Sequence, residues 1–321
     1  MTIDLQDITV SVVTPYFNDS SRIKKTIDSV FVQTLSPLEM VIIDDCSEDS
    51  TILMEIVSNS LHSSKIIVSR NNTNKNGAFS RNRGVELSSG DFIAFLDADD
   101  YWLPNHLNES LSHLIASKSD FVYSNRVVFR RNLEERVIKS TNISDMEHNP
   151  SDILLFSPPQ TNSFVFVREL YKYVRFDESL NRHQDYQFFL DAVNSDLSVT
   201  YVDINTSVYT DSHRSVASRI DFVSIFNFWE SRKDKFTSDL LDKRLFKLLP
   251  LLLRYQPENI NKYVKEYECL NFLSKRKDFK FFSSIGIVRS RFVFFLYIKC
   301  FFDNAGLVLR VKQFLKRIYK W

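Results

Sequence analysis

Residues 8–129 alternate short apolar runs with segments of helical periodicity, and this alternation restricts the fold more than any other feature of the chain. The runs "ITVSVVT" (8–14), "EMVIIDD" (39–45), "KIIVS" (65–69), "DFIAFLD" (91–97) and "DFVYSNRVVF" (120–129) read as strands. Between the first two, Ile23, Ile27, Val30 and Phe31 recur at helical spacing, with Asp19 or Ser20 as N-cap. Further helices are expected from about Ser50 to Ser60, over 78–89, and over 103–117 with Pro104 near the first turn. Nearly continuous apolar strands linked by helices imply an α/β fold whose mostly parallel sheet is covered on both faces. Ligands of such sheets bind beyond the carboxyl ends of the strands. Both acidic clusters, Asp44–Asp45 and Asp97–Asp99–Asp100, fall at those ends.

The pattern changes after about residue 220. No strand pattern persists over 221–321, and "DFVSIFNFWESRKDKF" and "LLDKRLFKLLPLLLRY" read as helices. Two regions are expected: 1–220, which carries the sheet and the site, and a helical region, 221–321. The tail is basic and aromatic, with Arg289, Arg291, Lys299, Arg310, Lys312, Lys316, Arg317 and Lys320 against Asp303 alone. It admits an extra helical layer or an interfacial element lying on an anionic membrane, and the local basic excess favours the membrane. Elsewhere composition mainly excludes. A formal net charge of +1 provides no general field for nucleic acid. Three scattered cysteines, Cys46, Cys269 and Cys300, form no zinc or disulfide framework and suit a reducing compartment. The first residues, "MTIDLQDITV", lack the apolar stretch of a signal peptide, and no run reaches the ~20 apolar residues of a membrane span.

Three like charges within "LDADD" are costly at the end of a buried strand unless something positive sits there. Acidic helix caps are one reading. An EF-hand loop is excluded, because neither Asp-rich stretch carries the central glycine. A hard divalent cation shared with a phosphate ligand is the third, since Mg²⁺ or Mn²⁺ is held by one or two carboxylates plus phosphate oxygens. Asp97 and Asp99 would supply it, while Asp100 is expected only to cap the helix at Pro104.

Four stretches occur in an order that resembles family 2 glycosyltransferases of the GT-A fold, of the bacterial surface-polysaccharide type. They are "VSVVTPYFN" (10–18), "IDSVFVQTLSPLEMVIIDDCSEDST" (27–51), "NGAFSRNRGVELSSGDFIAFLDADDYWLP" (76–104) and "FDESLNRHQDYQFFLDA" (176–192). The resemblance covers about the first 215 residues. It implies a metal-dependent inverting enzyme that moves a hexosyl group from a nucleotide sugar, UDP-linked, to a glycan hydroxyl. The pathway implied is O-antigen or capsule assembly on a polyprenyl-diphosphate carrier, at the cytoplasmic face of the membrane.

Residue by residue, the resemblance assigns Asp45 to the uracil, Asp97 to ribose or metal, and Asp99 to the metal as a direct ligand. Asp185 becomes the base, with Gln184 in place of the family's usual glutamate, an alteration that bears on acceptor contacts. Physical reading of the residues adds Thr14, Pro15 and Phe17 as a wall for the base and Arg81 as a planar, permanently charged donor to base or phosphate. His213 is a candidate for metal or diphosphate, and Trp102 a platform for an acceptor sugar or a packing residue of the next helix. Mn²⁺ and Mg²⁺ are both admitted. Two alternatives are a nucleotidyltransferase, disfavoured because "TPYFNDSS" has no glycine for a phosphate loop, and a non-catalytic sugar-nucleotide-binding module.

Overall fold

The computed structural model describes residues 8–129, 135–146, 148–210 and 220–275. The chain divides into two compact units, Met1–Ser215 and Val216–Trp321.

In the first unit, β1 (Val10–Tyr16), β2 (Glu39–Asp44), β3 (Ile66–Arg70) and β4 (Phe92–Phe95) form a parallel block in the order β3-β2-β1-β4. The sheet continues beyond β4 through β8 (Val165–Val167), β6 (Phe121–Phe129), β9 (Val199–Thr210) and β5 (Tyr101–Trp102), with β7 (Glu135–Ile138) beside β6. β8 is antiparallel to both neighbours, β9 runs parallel to β6, and β5 returns antiparallel to β9. All six residues of β2 are buried, as are Val10, Val12 and Val13 of β1. Burial on both faces explains why these strands read as unbroken apolar runs.

Five helices serve this sheet: α1 (Ser20–Phe31), α2 (Ser50–Ser58), α3 (Gly77–Leu87), α4 (His106–Ser117) and α5 (Gln184–Val193). Ile23, Ile27 and Val30 form the buried stripe of α1, as their spacing predicts. Gly84 lets α3 approach β1, because a Cβ there would stand 2.3 Å from Val13 Cγ1. A second core is aromatic: Phe188 of α5 lies 5.9 Å from Phe95 of β4, 5.5 Å from Phe166 of β8 and 6.1 Å from Phe121 of β6, between ring centroids. These contacts seat α5, and with it the residues at its first turn. α4 starts at His106 rather than near Pro104, with Asn105 in the capping position.

The described part of the second unit is helical: Phe222–Arg232, Ser238–Phe246, Leu249–Tyr255, Ile260–Glu266 and Asn271–Lys275. Asp221 caps the first of these by accepting from Ser224 N at 3.0 Å. Phe226 packs against Tyr263, ring centroids 5.2 Å apart, and Trp229 against Phe236 at the same separation. Among the described residues no helix is long and apolar enough to cross a membrane. The basic tail from Arg289 onward lies outside the described residues.

Candidate active site

The first acidic turn follows β2. Asp44 accepts from Ser47 N at 2.8 Å and from Arg70 at 3.1 Å, which stabilises the turn itself. The buried Asp45 faces the loop after β3. It accepts from Asn71 Nδ2 at 2.7 Å, Lys75 N at 2.9 Å and Asn76 N at 2.8 Å. It is therefore not the cap of α2; it closes the 71–76 loop against the end of β2. Asn76 in turn caps α3, accepting from Ala78 N at 2.9 Å. The chain of contacts runs from Asp45 to the helix that carries Arg81. Thr14, at the end of β1, is fully buried, and its hydroxyl finds no partner among the described residues. Pro15 is half-buried and Phe17 is 41% exposed beyond the strand end.

The second acidic turn follows β4. Asp97 is paired with Arg81 at 2.5 Å, and Asp99 with Arg22 at 3.0 Å. Arg22, on α1, also grips Asp19, its Nε donating at 2.6 Å. Four carboxylates (Asp19, Asp97, Asp99 and Asp100) thus stand with two guanidiniums. The imbalance shows in proton affinity. Burial raises the pKa of Asp99, and the Asp97 carboxylate raises it further. Asp100 is raised well above the usual carboxylate range by burial, then by Asp99 and Asp97. Excess negative charge of this kind is what a cation would relieve.

Asp100 does not cap α4. It is 1% exposed and accepts from Thr210 N at 2.7 Å and from Asn162 Nδ2, which ties the turn to the end of β9. Asn162 is the organiser that sequence reasoning misses. Its side-chain oxygen accepts from Asp97 N at 2.8 Å, and its backbone oxygen accepts from Trp102 Nε1 at 2.8 Å. It lies in the 139–164 stretch, where no motif guides the eye. Arg22 is the other omission. Its only signal is the i, i+3 spacing from Asp19, an ordinary surface pair on most helices.

Trp102 corrects an expectation. It is 2% exposed, and its ring stacks on His106 at 4.5 Å, so neither face is open to a sugar. The cause is β5: pairing Trp102 with Ser207 of β9 draws the indole inward. Burial also pushes the His106 pKa down to about 3, so that ring is a neutral packing partner.

The third component is the first turn of α5. Arg81 spans the gap, one arm on Asp97 and the other donating to Gln184 Oε1 at 3.0 Å. Gly77 packs over this bridge; a Cβ there would stand 3.1 Å from Arg81 Nη1 and 3.2 Å from Gln184 Oε1. Gln184 Nε2 donates to Leu180 O at 2.7 Å, so both ends of the amide are engaged. Asp185, next in sequence, accepts only from Tyr186 N, at 3.0 Å, among the described residues. Burial pushes its pKa up to about 6, against the pull of the Tyr186 N–H and of Arg81, and with a push from Asp97. A largely uncommitted carboxylate with that proton affinity suits a general base near neutral pH.

The site therefore brings together Asp45, Arg81, Asp97, Asp99, Gln184 and Asp185. His213 lies outside the described residues. Among the described residues no group of three or more His, Cys, Asp or Glu is arranged to hold a metal ion. A cavity of about 280 Å³, bordered by Arg70, Asn71, Lys75 and Phe79, opens beside the Asp45 loop, and one of about 760 Å³ lies between α1 and α2, lined by none of the carboxylates of the acidic turns.

This sheet order, with acidic turns at the strand ends, is a GT-A-like fold. Residues 1–349 of S. aureus TarS, crystallised with UDP, superpose with a TM-score of 0.56 at 18% identity, covering 91% of this chain and 81% of that one. The chain belongs to glycosyl transferase family 2, whose family model matches residues 11–192. The amylovoran biosynthesis glycosyltransferase AmsB of Erwinia amylovora is 33% identical over 195 residues, which is 59% of this chain and 65% of AmsB. WfgD of Escherichia coli, a UDP-Glc:α-D-GlcNAc-diphosphoundecaprenol β-1,3-glucosyltransferase, is 33% identical over 128 residues, 40% of this chain and 49% of WfgD. The putative colanic acid biosynthesis glycosyl transferase WcaA of E. coli K12 is 26% identical over 257 residues, 74% of this chain and 86% of WcaA. The match thus spans less than two thirds of AmsB and about half of WfgD.

Proposed function

We propose that this protein is an inverting glycosyltransferase that moves a hexosyl group from a UDP-sugar to a hydroxyl of a polyprenyl-diphosphate-linked glycan during surface-polysaccharide assembly. The Arg81 bridge carries the reading: one guanidinium bonds Asp97 on one side and Gln184, the chain neighbour of Asp185, on the other.

Asp185 takes the proton of the acceptor hydroxyl as that oxygen attacks the anomeric carbon. The bond from that carbon to the β-phosphate oxygen breaks, and UDP departs with the bonding electrons. Attack from the face opposite the leaving group inverts the anomeric centre. Asp45 shapes the loop against which the base rests, Phe17 offers an exposed aromatic face, and the orphan Thr14 hydroxyl can meet a polar edge of the base. Asp97 and Asp99 would hold a divalent cation, Mn²⁺ or Mg²⁺, together with the diphosphate; two carboxylates with excess negative charge fit a hard ion. Bound there, the ion would supply charge stabilisation for the departing diphosphate. His213, outside the described residues, is carried from the sequence as a candidate partner of the metal or the diphosphate.

The acceptor class rests on the activity of WfgD, and the donor class on that activity and on the TarS complexes with UDP and UDP-GlcNAc. Contact between the basic tail and the inner face of the cytoplasmic membrane belongs to the same proposal. Retention of both Asp99 and Asp185 favours an enzyme over a binding module. Calorimetric titration of UDP with Mn²⁺ and then with EDTA tests the site. Metal-dependent binding is expected in the wild type, with an affinity about tenfold or more weaker, that is about 1.4 kcal/mol, in Asp99→Ala. Binding indifferent to EDTA would remove the metal, and no binding of UDP would remove the donor assignment.

A further inference from the structure

Arg126 of β6 is a guanidinium that nothing above uses. Arginine presents five N–H donors. Arg126 donates one hydrogen bond, from Nη1 to Pro158 O at 3.1 Å, and forms no ion pair among the described residues. It is only partly exposed, and burial lowers its pKa from the ordinary arginine value. Among the described residues, Tyr186, Asp185 and Tyr209 are within electrostatic reach. Half-burying a cation with most of its donors unspent is unfavourable unless an anion arrives.

The backbone beside it is built to aim this side chain. The β6–β9 register breaks immediately before Arg126: β6 advances from Ser124 to Arg126 while β9 advances from Val202 to Ser207. Asn125, between them, is fully buried and pins the irregularity. It donates to Asp203 Oδ1 at 2.7 Å and Asn205 Oδ1 at 2.9 Å, and accepts from Ser140 N at 3.0 Å and the Tyr201 hydroxyl at 2.8 Å. Such breaks in a ladder re-aim side chains next to active sites. On its other side Arg126 is tethered to the 157–160 segment, just before Asn162, the residue that holds the acidic turn.

We propose that Arg126 binds a phosphoryl group of the acceptor, on the Asp185 side of the site. Planar guanidinium groups match phosphate oxygens in a two-point geometry. Two possible sources share this chemistry, the donor diphosphate and the acceptor diphosphate. Position favours the acceptor: the carboxylates assigned to the donor are served by Arg22 and Arg81, whereas Arg126 is within electrostatic reach of Asp185, the proposed base, and is tethered to Pro158, four residues before Asn162. In a sugar linked through C1 to a diphosphate, the reacting hydroxyl and the phosphate sit on one ring. A base and a phosphate anchor on the same side of the cleft suit that geometry. The role of Arg126 rests on the proposed transferase function.

The test titrates inorganic pyrophosphate into UDP-saturated protein, as wild type, Arg126→Gln and Arg126→Lys. The wild type is expected to bind pyrophosphate while UDP stays bound. Affinity should fall tenfold or more in Arg126→Gln and partly recover in Arg126→Lys, with UDP affinity and melting temperature unchanged in both. Four outcomes overturn the proposal: no pyrophosphate binding by the wild type, equal binding by Arg126→Gln, binding only by displacement of UDP, or a matching loss of UDP affinity. Should the wild type fail to bind UDP, that failure belongs to the donor assignment. The same variants are then compared in UDP-free protein, where equal pyrophosphate binding still overturns the role of Arg126.

Discussion

In the parallel block β3-β2-β1-β4, the site carboxylates already have partners. Asp45 is held by three N–H donors, Asp97 by Arg81, and Asp99 by Arg22. Across the sheet the balance reverses. Asp185 accepts from one backbone N–H, and Arg126 donates to one backbone carbonyl. In the proposed function, the first region is preorganised for a ligand that brings the same groups on every turnover, a nucleotide diphosphate. Among the described residues, the second keeps a carboxylate and a guanidinium with most of their hydrogen-bonding capacity unused, at a cost in desolvation that the proposed acceptor would offset.

Replacing the proposed base gives the sharpest break between the two. Asp185→Asn keeps the shape of α5 and removes proton acceptance. Turnover should fall by about 10²–10⁴-fold, the usual worth of a positioned base, with UDP affinity unchanged. Initial rates beside calorimetry make the comparison. Equal losses in both would mean that the two regions are one binding site, and that their different pairing carries no functional meaning.

A smaller effect is expected from the organiser of the acidic turn. Asn162→Ala strips Asp97 N of its acceptor and Asp100 of a donor in a buried setting. Leaving buried polar groups unsatisfied costs about 1–3 kcal/mol. Denaturant midpoints should register that loss, and UDP should bind more weakly because the turn loses its fixed geometry. A variant as stable as the wild type would show that the acidic turn is held by its ion pairs instead.

The two regions also differ in how far the sequence reveals them. Local pattern announces the parallel block. Buried β-branched strands and the Ile23, Ile27, Val30 stripe need no distant information, and Asp45, Asp97 and Asp99 stand in contiguous motifs at strand ends. The close approach of Gly84 to β1, by contrast, shows only in the structure. What escaped was long-range. The two-residue β5 owes its existence to β9, more than a hundred residues on, and with it the burial of Trp102. Sequence proximity makes the carboxylate of Asp100 a cap for the nearest helix, whereas its partners are Asn162 and Thr210. Arg126 sits inside an unremarkable strand pattern, and only the register break marks it. Pairings between distant segments leave no periodic trace in either one.

The smallest effect tests whether the regions communicate. Arg81 joins them, bonded to Asp97 on one side and to Gln184 on the other. Gln184→Glu would replace a neutral acceptor with a carboxylate at the same position. The guanidinium would then be shared between two anions, and its pull on Asp185, which lowers that pKa, would weaken. The new charge would also stand beside Asp185. Both changes favour the protonated form and push the pKa above its present value of about 6. Only ionised Asp185 can take the acceptor proton, so in the wild type kcat/KM should fall as pH drops below about 6. In Gln184→Glu that fall should begin at higher pH, displaced by on the order of half to one pH unit, while the plateau rate at higher pH is largely kept. The other charges facing Asp185, Asp97 and Arg126, are the same in both proteins. A plateau lost without movement of the inflection would make Gln184 a packing residue. A shifted inflection would show that Arg81 links the charge of the paired region to the proton affinity of the unpaired one.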